Sequence, residues 1–291
     1  MDYPYNLGSY TRKVTTGSAD AQCWFDRGLD WCFGYHHEEA IACFAKALET
    51  DPNCAMAHWG VAYAAGPNYN FPWELQDPAG KAAALARAYD STRAALALVA
   101  RVSAPECALI EALPARYPRR DPIDDQRPWN DAFADAMRLA HKAHPDDLDL
   151  RFSFAEAILN RTPWRMWDLR TGEPAAGAGT LEAREVLESA FRDLLEAMNH
   201  PGLLHLHVHL MEMSPHPEAA LATGDTKTAE SSWTRIITLE KEGSLVHQAH
   251  YALAGLYRKE GRVEEAQQQM REFSSTDAQA GTPERERSHQ P

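Results

Sequence analysis

The chain has 291 residues, 44% of them hydrophobic, and a formal net charge of −13 at pH 7. Its length can bury a sizeable core, and its composition, rich in Ala, Leu, Glu and Arg without a strand pattern, predicts an all-α protein. The acidic surplus argues against nucleic acid or an anionic membrane as the main partner, because either requires a clustered basic surface. Without a long apolar run or a secretory-type start, we expect a cytoplasmic protein.

Residues 21–54 carry the clearest pattern in the sequence. Small and apolar residues recur at helical offsets on two helices with a turn between them: Trp24, Gly28 and Trp31, then Ala40, Phe44 and Ala47, followed by Pro52. This spacing resembles the tetratricopeptide repeat (TPR), down to the small residues where two antiparallel helices approach closely. A single helical hairpin cannot bury its apolar face, so further units must stack on it. We therefore predict a right-handed TPR-like α-solenoid, with Trp24 filling the interior of the first repeat.

Helical units continue to about residue 275, and no linker separates them. The last unit is predicted as a nearly regular repeat, with Ala254, Tyr257, Gly261, Ala266, Met270 and Phe273 at the repeat offsets. The sequence predicts one helical-repeat domain over 18–275, an extended polar lead-in over 1–17 and a disordered polar tail over 276–291. Individual helices are predicted over 54–65, 79–101, 104–116 and, without a break, 181–201. The helix at 104 rests on a capping box of Ser103 and Glu106.

The five cysteines are Cys23, Cys32, Cys43, Cys54 and Cys107. Their long spacings are not those of zinc sites, and an odd number in a reducing compartment argues against a disulfide framework. We interpret them as small packing residues.

Two long aromatic loops, 66–78 and 161–179, replace the short turns expected between repeat helices. They admit two interpretations: the aromatic side chains plug the groove as core, or they wall a ligand pocket, since Trp and Tyr combine rigid apolar area with a polar edge. For the second interpretation, the candidate ligand-contacting residues are Trp59, Tyr69, Asn70, Trp73, Trp164 and Trp167.

Histidine is concentrated between residues 200 and 216. His205, His209 and Glu212 follow at i, i+4 and i+7, which places two imidazoles and a carboxylate on one helical stripe. These groups ligate zinc, iron, copper or manganese, so the stripe is a candidate divalent-metal site, with His58 as the favoured contributor from another helix. The alternative is a row of structural histidines that hydrogen-bond to carboxylates and aromatic hydroxyls.

Other histidines bear on the metal-site hypothesis. His207 is predicted to lie on the helix face opposite the stripe, and His216 follows Pro215, past the predicted helix end. The pairs His36 and His37, and His247 and His250, are further possible ligands.

Three segments resemble a family of TPR proteins that share more than the repeat. They are AMAHWGVAYAAGPNYN at 55–70, TPWRMWDL at 162–169 and NHPGLLHLHVHLMEMSPHPEAAL at 199–221. The resemblance implies the fold and a set of shared histidines, and it implies no particular reaction. Family members typically continue with a His-Met-Pro-Ser-His segment, for which this chain offers only His247-Gln-Ala-His250.

Two functions fit these patterns. One is a scaffold that binds a protein, a peptide or a small ligand in the concave groove of the solenoid. The other is a metal-dependent enzyme acting on a small molecule. A scaffold requires an open channel, whereas an enzyme of this kind would have loops 66–78 and 161–179 closed around a pocket. Phosphate loops and nucleophile elbows are absent from the sequence.

Overall fold

The structure, a computed structural model, describes residues 3–215, 233, 234, 237, 250, 253–258 and 261–280, with side chains up to residue 273. Its contacts form two compact units, Met1–Pro217 (unit 1) and Glu218–Pro291 (unit 2). The described residues form helices and no strands, apart from two isolated bridges, which confirms the all-α fold class. The single domain over 18–275 stays a prediction. No described helix is both long and apolar enough to span a membrane.

Unit 1 contains consecutive helices joined by turns and by the two aromatic loops. They are α1 Ala19–Phe33, α2 His37–Thr50, α3 Ala55–Ala65, α4 Pro78–Leu98, α5 Ala104–Arg116, α6 Arg127–Ala143, α7 Leu148–Leu159, α8 Thr180–Asp193 and α9 Pro201–Met211. The capping box of Ser103 and Glu106 opens α5 as predicted. The segment predicted as one helix over 181–201 ends instead at Asp193 and continues as a 3-10 turn, Leu195–Asn199.

Each helix of unit 1 packs against the next, and α1, α3, α5, α7 and α9 lie on the inner side. Every residue of α3 except His58 is buried, as is every residue of α7 except Leu148. Helix α9 packs against α7 and also against α1, at the other end of the unit. The inner side of unit 1 is therefore filled by packed side chains where α9 crosses it.

Phe44 anchors the first repeat. Its side chain is fully buried, and a Cβ added to either Gly28 or Gly60 would lie 2.6 Å from its ring. The two glycines therefore let α1 and α3 approach α2 from both sides. Phe25, with its ring centroid 5.5 Å from that of Phe44, completes this interior.

Trp24 does not fill the interior, so the prediction for this residue is wrong. Trp24 is half-buried, with its ring edge-on to Tyr3 at 5.6 Å and beneath the Arg27 guanidinium at 4.6 Å. The N-terminal segment covers this face of α1, and the neighbouring Phe25 points inward instead.

Residues 3–18, the N-terminal segment, run without helix across several elements and end at Ser18, which caps α1. Thr15 donates to Glu106 of α5 at 2.7 Å through both its amide and its hydroxyl. Farther along, Arg12 donates to Asp147 and Asp149 at 2.8 and 2.6 Å. These bonds join the segment to α5 and α7.

Asp149 is buried, and burial alone would raise its pKa. The adjacent Arg12 guanidinium and His200 outweigh burial and hold the pKa of this carboxyl well below its usual range. A carboxyl whose pKa is depressed by folding contributes stability above its unfolded pKa of about 3.9, and that stability is lost as the pH falls toward the folded value.

In unit 2, residues 253–258 are helical and precede α10, Val263–Ala280. Ala254, Tyr257 and Ala266 are buried at the offsets predicted for the last repeat, and Gly261 adopts a φ of +76° in the turn. His250 bonds Gln269 at 2.8 Å, while His247 lies outside the described residues. Helix α10 continues to Ala280, whereas the sequence predicts a tail from residue 276. Residues 281–291 lie outside the described residues.

We expect Phe44→Ala to lower the free energy of unfolding by about 3–5 kcal/mol, because it empties a site enclosed by backbone from two sides. Trp24→Ala should cost about 1 kcal/mol, since that ring is half-buried. Urea unfolding followed by circular dichroism measures both. A Trp24→Ala cost equal to that of Phe44→Ala would contradict this account of the repeat interior.

We expect Asp149→Asn to lower the free energy of unfolding by roughly 3 kcal/mol at pH 7, because Arg12 loses a buried partner. Below about pH 4 the difference from the parent should shrink, since Asp149 then becomes protonated and neutral in the parent's unfolded chain. Unfolding curves between pH 7 and pH 2.5 test this. A difference that stays constant with pH would show that the Asp149 charge does not stabilise the fold.

Candidate functional site

Helix α9 carries the histidine stripe, and its start is defined by local chemistry. His200 is the N-cap residue, and its Nδ1 accepts a hydrogen bond from the Leu203 amide at 3.1 Å. Pro201 occupies the first helical position, where its missing N–H costs nothing. Because Nδ1 is an acceptor in this bond, the neutral His200 ring carries its proton on Nε2.

Gly202 lets α9 reach the interior of unit 1. A Cβ at this position would lie 2.6 Å from the Phe33 ring and 2.7 Å from the Phe152 ring. Phe33 ends α1 and Phe152 lies in α7, with ring centroids 4.7 Å apart. The absence of a side chain at residue 202 thus brings α9 into contact with both helices.

His205 lies on the inner face of α9, where its Nδ1 donates to the backbone carbonyl of Phe33. Burial is the main cause that lowers its pKa to about 3, so the ring is neutral at pH 7. With the proton on Nδ1, Nε2 is a bare lone pair.

His209 follows one turn later, with its ring centroid 4.6 Å from that of His205. Its Nδ1 donates to Glu212 Oε1 at 3.0 Å. Nε2 of His209 is buried and has no hydrogen-bond partner among the described residues. Glu212 therefore fixes the orientation of His209 through the nitrogen opposite the free one.

His37, at the start of α2, repeats this arrangement. Its Nδ1 bonds the Ala64 carbonyl at 2.9 Å, burial lowers its pKa to about 4, and its Nε2 has no partner among the described residues. Tyr35, in the preceding turn with a φ of 59°, stacks on His209 at 5.6 Å and lies 4.8 and 5.9 Å from the rings of His205 and His37.

Tyr35, His37, Tyr69, His205 and His209 form what we call the histidine recess. Protein surrounds Tyr35, His37 and His205, as the effect of burial on their pKa values shows, and yet each keeps some accessible surface. Ring contacts of Tyr35 and His209 connect the five side chains into one cluster.

The predicted metal ligands are only partly brought together. His205, His209 and Glu212 are adjacent, but Glu212 contacts the Nδ1 side of His209. His58 bonds the Pro52 carbonyl at 3.1 Å, at the N-terminal end of its own helix. His207 points to the other face, as predicted, with its ring 5.4 Å from Phe191 of α8. Within the described residues, no group of three or more His, Cys, Asp or Glu side chains is arranged to hold a metal ion.

The two aromatic loops meet beside α9. Tyr69 of the first loop lies 5.0 Å from the His209 ring and 6.2 Å from Trp164 of the second loop, which is 39% exposed. Trp167 donates to the Leu210 carbonyl at 2.6 Å and so fastens the second loop to α9. Thus Tyr69 and Trp164 approach the recess, while Trp167 serves to attach the loop.

The other aromatic-loop candidates have different positions. Trp73 is buried in a 3-10 turn, and the Asn70 amide donates to the Asn68 side chain within the first loop. Trp59 stacks on Tyr63 inside α3 at 4.9 Å. These contacts are structural.

Sequence reasoning missed a buried charged group near the recess. Glu156, 1% exposed, accepts a hydrogen bond from the Tyr63 hydroxyl, and burial raises its pKa. Arg116, also buried, donates to the Pro67 carbonyl at 2.6 Å and lies over the Tyr63 ring. In the sequence, the sign of this buried group is a single Glu within the apolar run FSFAEAIL at 152–159.

Two segments, 36–54 and 247–279, match the tetratricopeptide repeat family model. The first spans α2 and the turn after it, and the second includes α10. The chain therefore contains tetratricopeptide repeats, in agreement with the predicted offsets in the first and last units. Comparison with curated proteins finds no match to this sequence.

We expect Gly202→Ala to cost about 1–3 kcal/mol of stability, because the new Cβ must displace Phe33 and Phe152. The matched control is Gly255→Ala, where a Cβ meets nothing within 4 Å and better helix propensity should stabilise slightly. Thermal unfolding of both variants measures the difference. A neutral Gly202→Ala would mean that α9 does not pack this closely.

Proposed function

We propose that the protein binds a divalent transition-metal ion in the histidine recess through Nε2 of His205 and His209, and that this ion holds a small molecule. One observation carries the proposal: His37, His205 and His209 all engage Nδ1 with an oxygen acceptor and leave Nε2 on the free side of the ring. Metal-binding histidines characteristically have this arrangement, in which an acceptor on one nitrogen fixes the tautomer and orients the other.

The electrostatics of the recess support a cation. His205 is neutral at pH 7, as a metal ligand must be, and its free nitrogen can only accept. The Nε2 atoms of His37 and His209 are buried and have no hydrogen-bond partner among the described residues. Burying a polar atom without a partner costs free energy, which a bound cation would offset. Imidazole ligands suit zinc, copper and iron better than manganese.

Two protein ligands leave other coordination positions open, which distinguishes sites that bind small molecules from closed structural sites. The rings of Tyr35 and Tyr69 lie beside that of His209, Trp164 lies beside Tyr69, and α9 packs against both α1 and α7. This enclosure favours a small molecule over an extended peptide. An extension of this proposal is that the protein also converts the bound molecule, as a metal-dependent enzyme does.

We expect untagged purified protein to contain zinc, copper or iron, and His209→Ala to lose most of it, because one of only two protein ligands is removed. His207→Ala is the matched control, being on the same helix and buried but directed toward α8. Elemental analysis and the melting shift on adding each ion to metal-free protein are the measurements, since an ion that binds the native state raises Tm.

Three results would decide against the metal site. These are less than about a tenth of an equivalent of any transition metal, no melting shift with zinc, iron, manganese or copper, or equal loss of metal in His207→Ala and His209→Ala. A protein that captures a peptide or protein partner without any metal would favour the scaffold function of TPR repeats instead.

A further inference from the structure

Asp149 connects three separate parts of unit 1. Its Oδ2 accepts from the Tyr10 hydroxyl at 2.9 Å and from Arg12 at 2.6 Å, both in the N-terminal segment. Its Oδ1 faces Nε2 of His200 at 3.5 Å. Asp149 itself is in the first turn of α7. One buried carboxylate thus contacts the N-terminal segment and the N-cap residue of α9.

The position of the ring hydrogen on His200 decides which atom donates in its contact with Asp149. Because Nδ1 accepts the Leu203 amide, the neutral ring carries its hydrogen on Nε2, on the side of Asp149. The ring is fully buried, with Tyr10 and Phe33 at 4.6 and 4.8 Å. His200 therefore links Asp149 on one nitrogen to the first turn of α9 on the other.

The same helix carries His205 and His209, one and two turns after the cap. Their free Nε2 atoms can share an ion only if α9 keeps its rotation and height relative to α1 and α7. Hydrophobic contacts at Gly202 limit how close α9 comes, but they do not define its rotation. His200 Nε2 and Asp149 Oδ1 face each other at 3.5 Å, and neither atom has another hydrogen-bond partner among the described residues, so each is the polar group available to the other. At the N-terminus of α9, the charged group that faces the helix is the Asp149 carboxylate, which Arg12 binds.

We infer that Asp149 is a positioning residue for the histidine recess: through His200 it orients α9, and through Arg12 it makes this orientation depend on the N-terminal segment. This inference rests on the proposed function for its effect on metal binding. Its structural part, the dependence of α9 on Asp149, stands independently of any metal.

The test compares Asp149→Asn with Asp147→Asn. Both carboxylates accept from Arg12, and each variant removes one negative charge beside it. Asp147 caps α7 through the Leu150 amide, a role that Asn also performs. Within the described residues, its side chain binds Arg12 and the Leu150 amide and does not contact His200. Asp147→Asn therefore reports loss of an Arg12 partner alone.

Two measurements are made on the full chain: hydrogen exchange of the 203–211 amides without metal, taken relative to the α4 amides of the same variant, and zinc affinity by competition with a chelator. The α4 amides report the loss of global stability that Asp149→Asn also causes. We expect Asp149→Asn to speed exchange across 203–211 and to weaken zinc binding by about tenfold, while Asp147→Asn leaves both near the parent. If Asp149→Asn does not fold, His200→Asn replaces it, because Asn retains a cap acceptor but is too short to reach Asp149.

Unchanged exchange and zinc affinity in Asp149→Asn overturn the inference, as do equal changes in the two variants, which would indicate general destabilisation. If the parent itself binds no zinc, the proposed function fails. Faster exchange confined to Asp149→Asn would then still support the positioning role.

Discussion

The close approach of α9 to α1 and α7 at Gly202 is the constraint on which the rest of unit 1 depends. A side chain at this position would overlap the rings of Phe33 and Phe152, so only glycine allows the three helices to meet. The contact brings the carbonyl of Phe33 to His205 and the ring of Tyr35 to His209. Removing this contact would separate His205 from the Phe33 carbonyl and His209 from the Tyr35 ring.

The cost of the arrangement is electrostatic. Neutral histidines in a buried recess give up their interactions with water, and burial lowers the pKa values of His37 and His205 to about 4 and 3. Deeper in the unit, Glu156 and Arg116 are both buried, and burial raises the pKa of Glu156. Such groups add little net stability compared with apolar residues of the same volume.

The N-terminal segment and the second aromatic loop contact α9 near its opposite ends. At the start of α9, the His200 ring contacts Tyr10 of the N-terminal segment and faces Asp149, which binds Arg12. Near the end of α9, Trp167 donates to the Leu210 carbonyl. Both ends of this helix are thus held by polar contacts from distant parts of the chain. In an all-α repeat protein, where neighbouring helices otherwise interact through apolar faces, such contacts define the rotation of a helix.

Sequence alone determined the features that depend on neighbours along the chain. The capping box at Ser103 predicted the start of α5, the small residue at Gly28 predicted a close helix approach, and the i, i+4 spacing predicted that His205 and His209 share a face. These follow from helix geometry, which repeats every few residues and needs no tertiary contact.

Tertiary structure alone decided the contacts between residues far apart in the chain. The sequence could not show that Phe33 fixes the tautomer of His205 or that Phe25 rather than Trp24 is interior. It also gave no means to pair Glu156 with Tyr63. Each of these depends on how helices rotate and stack against one another, and residue spacing within a single helix does not specify that packing.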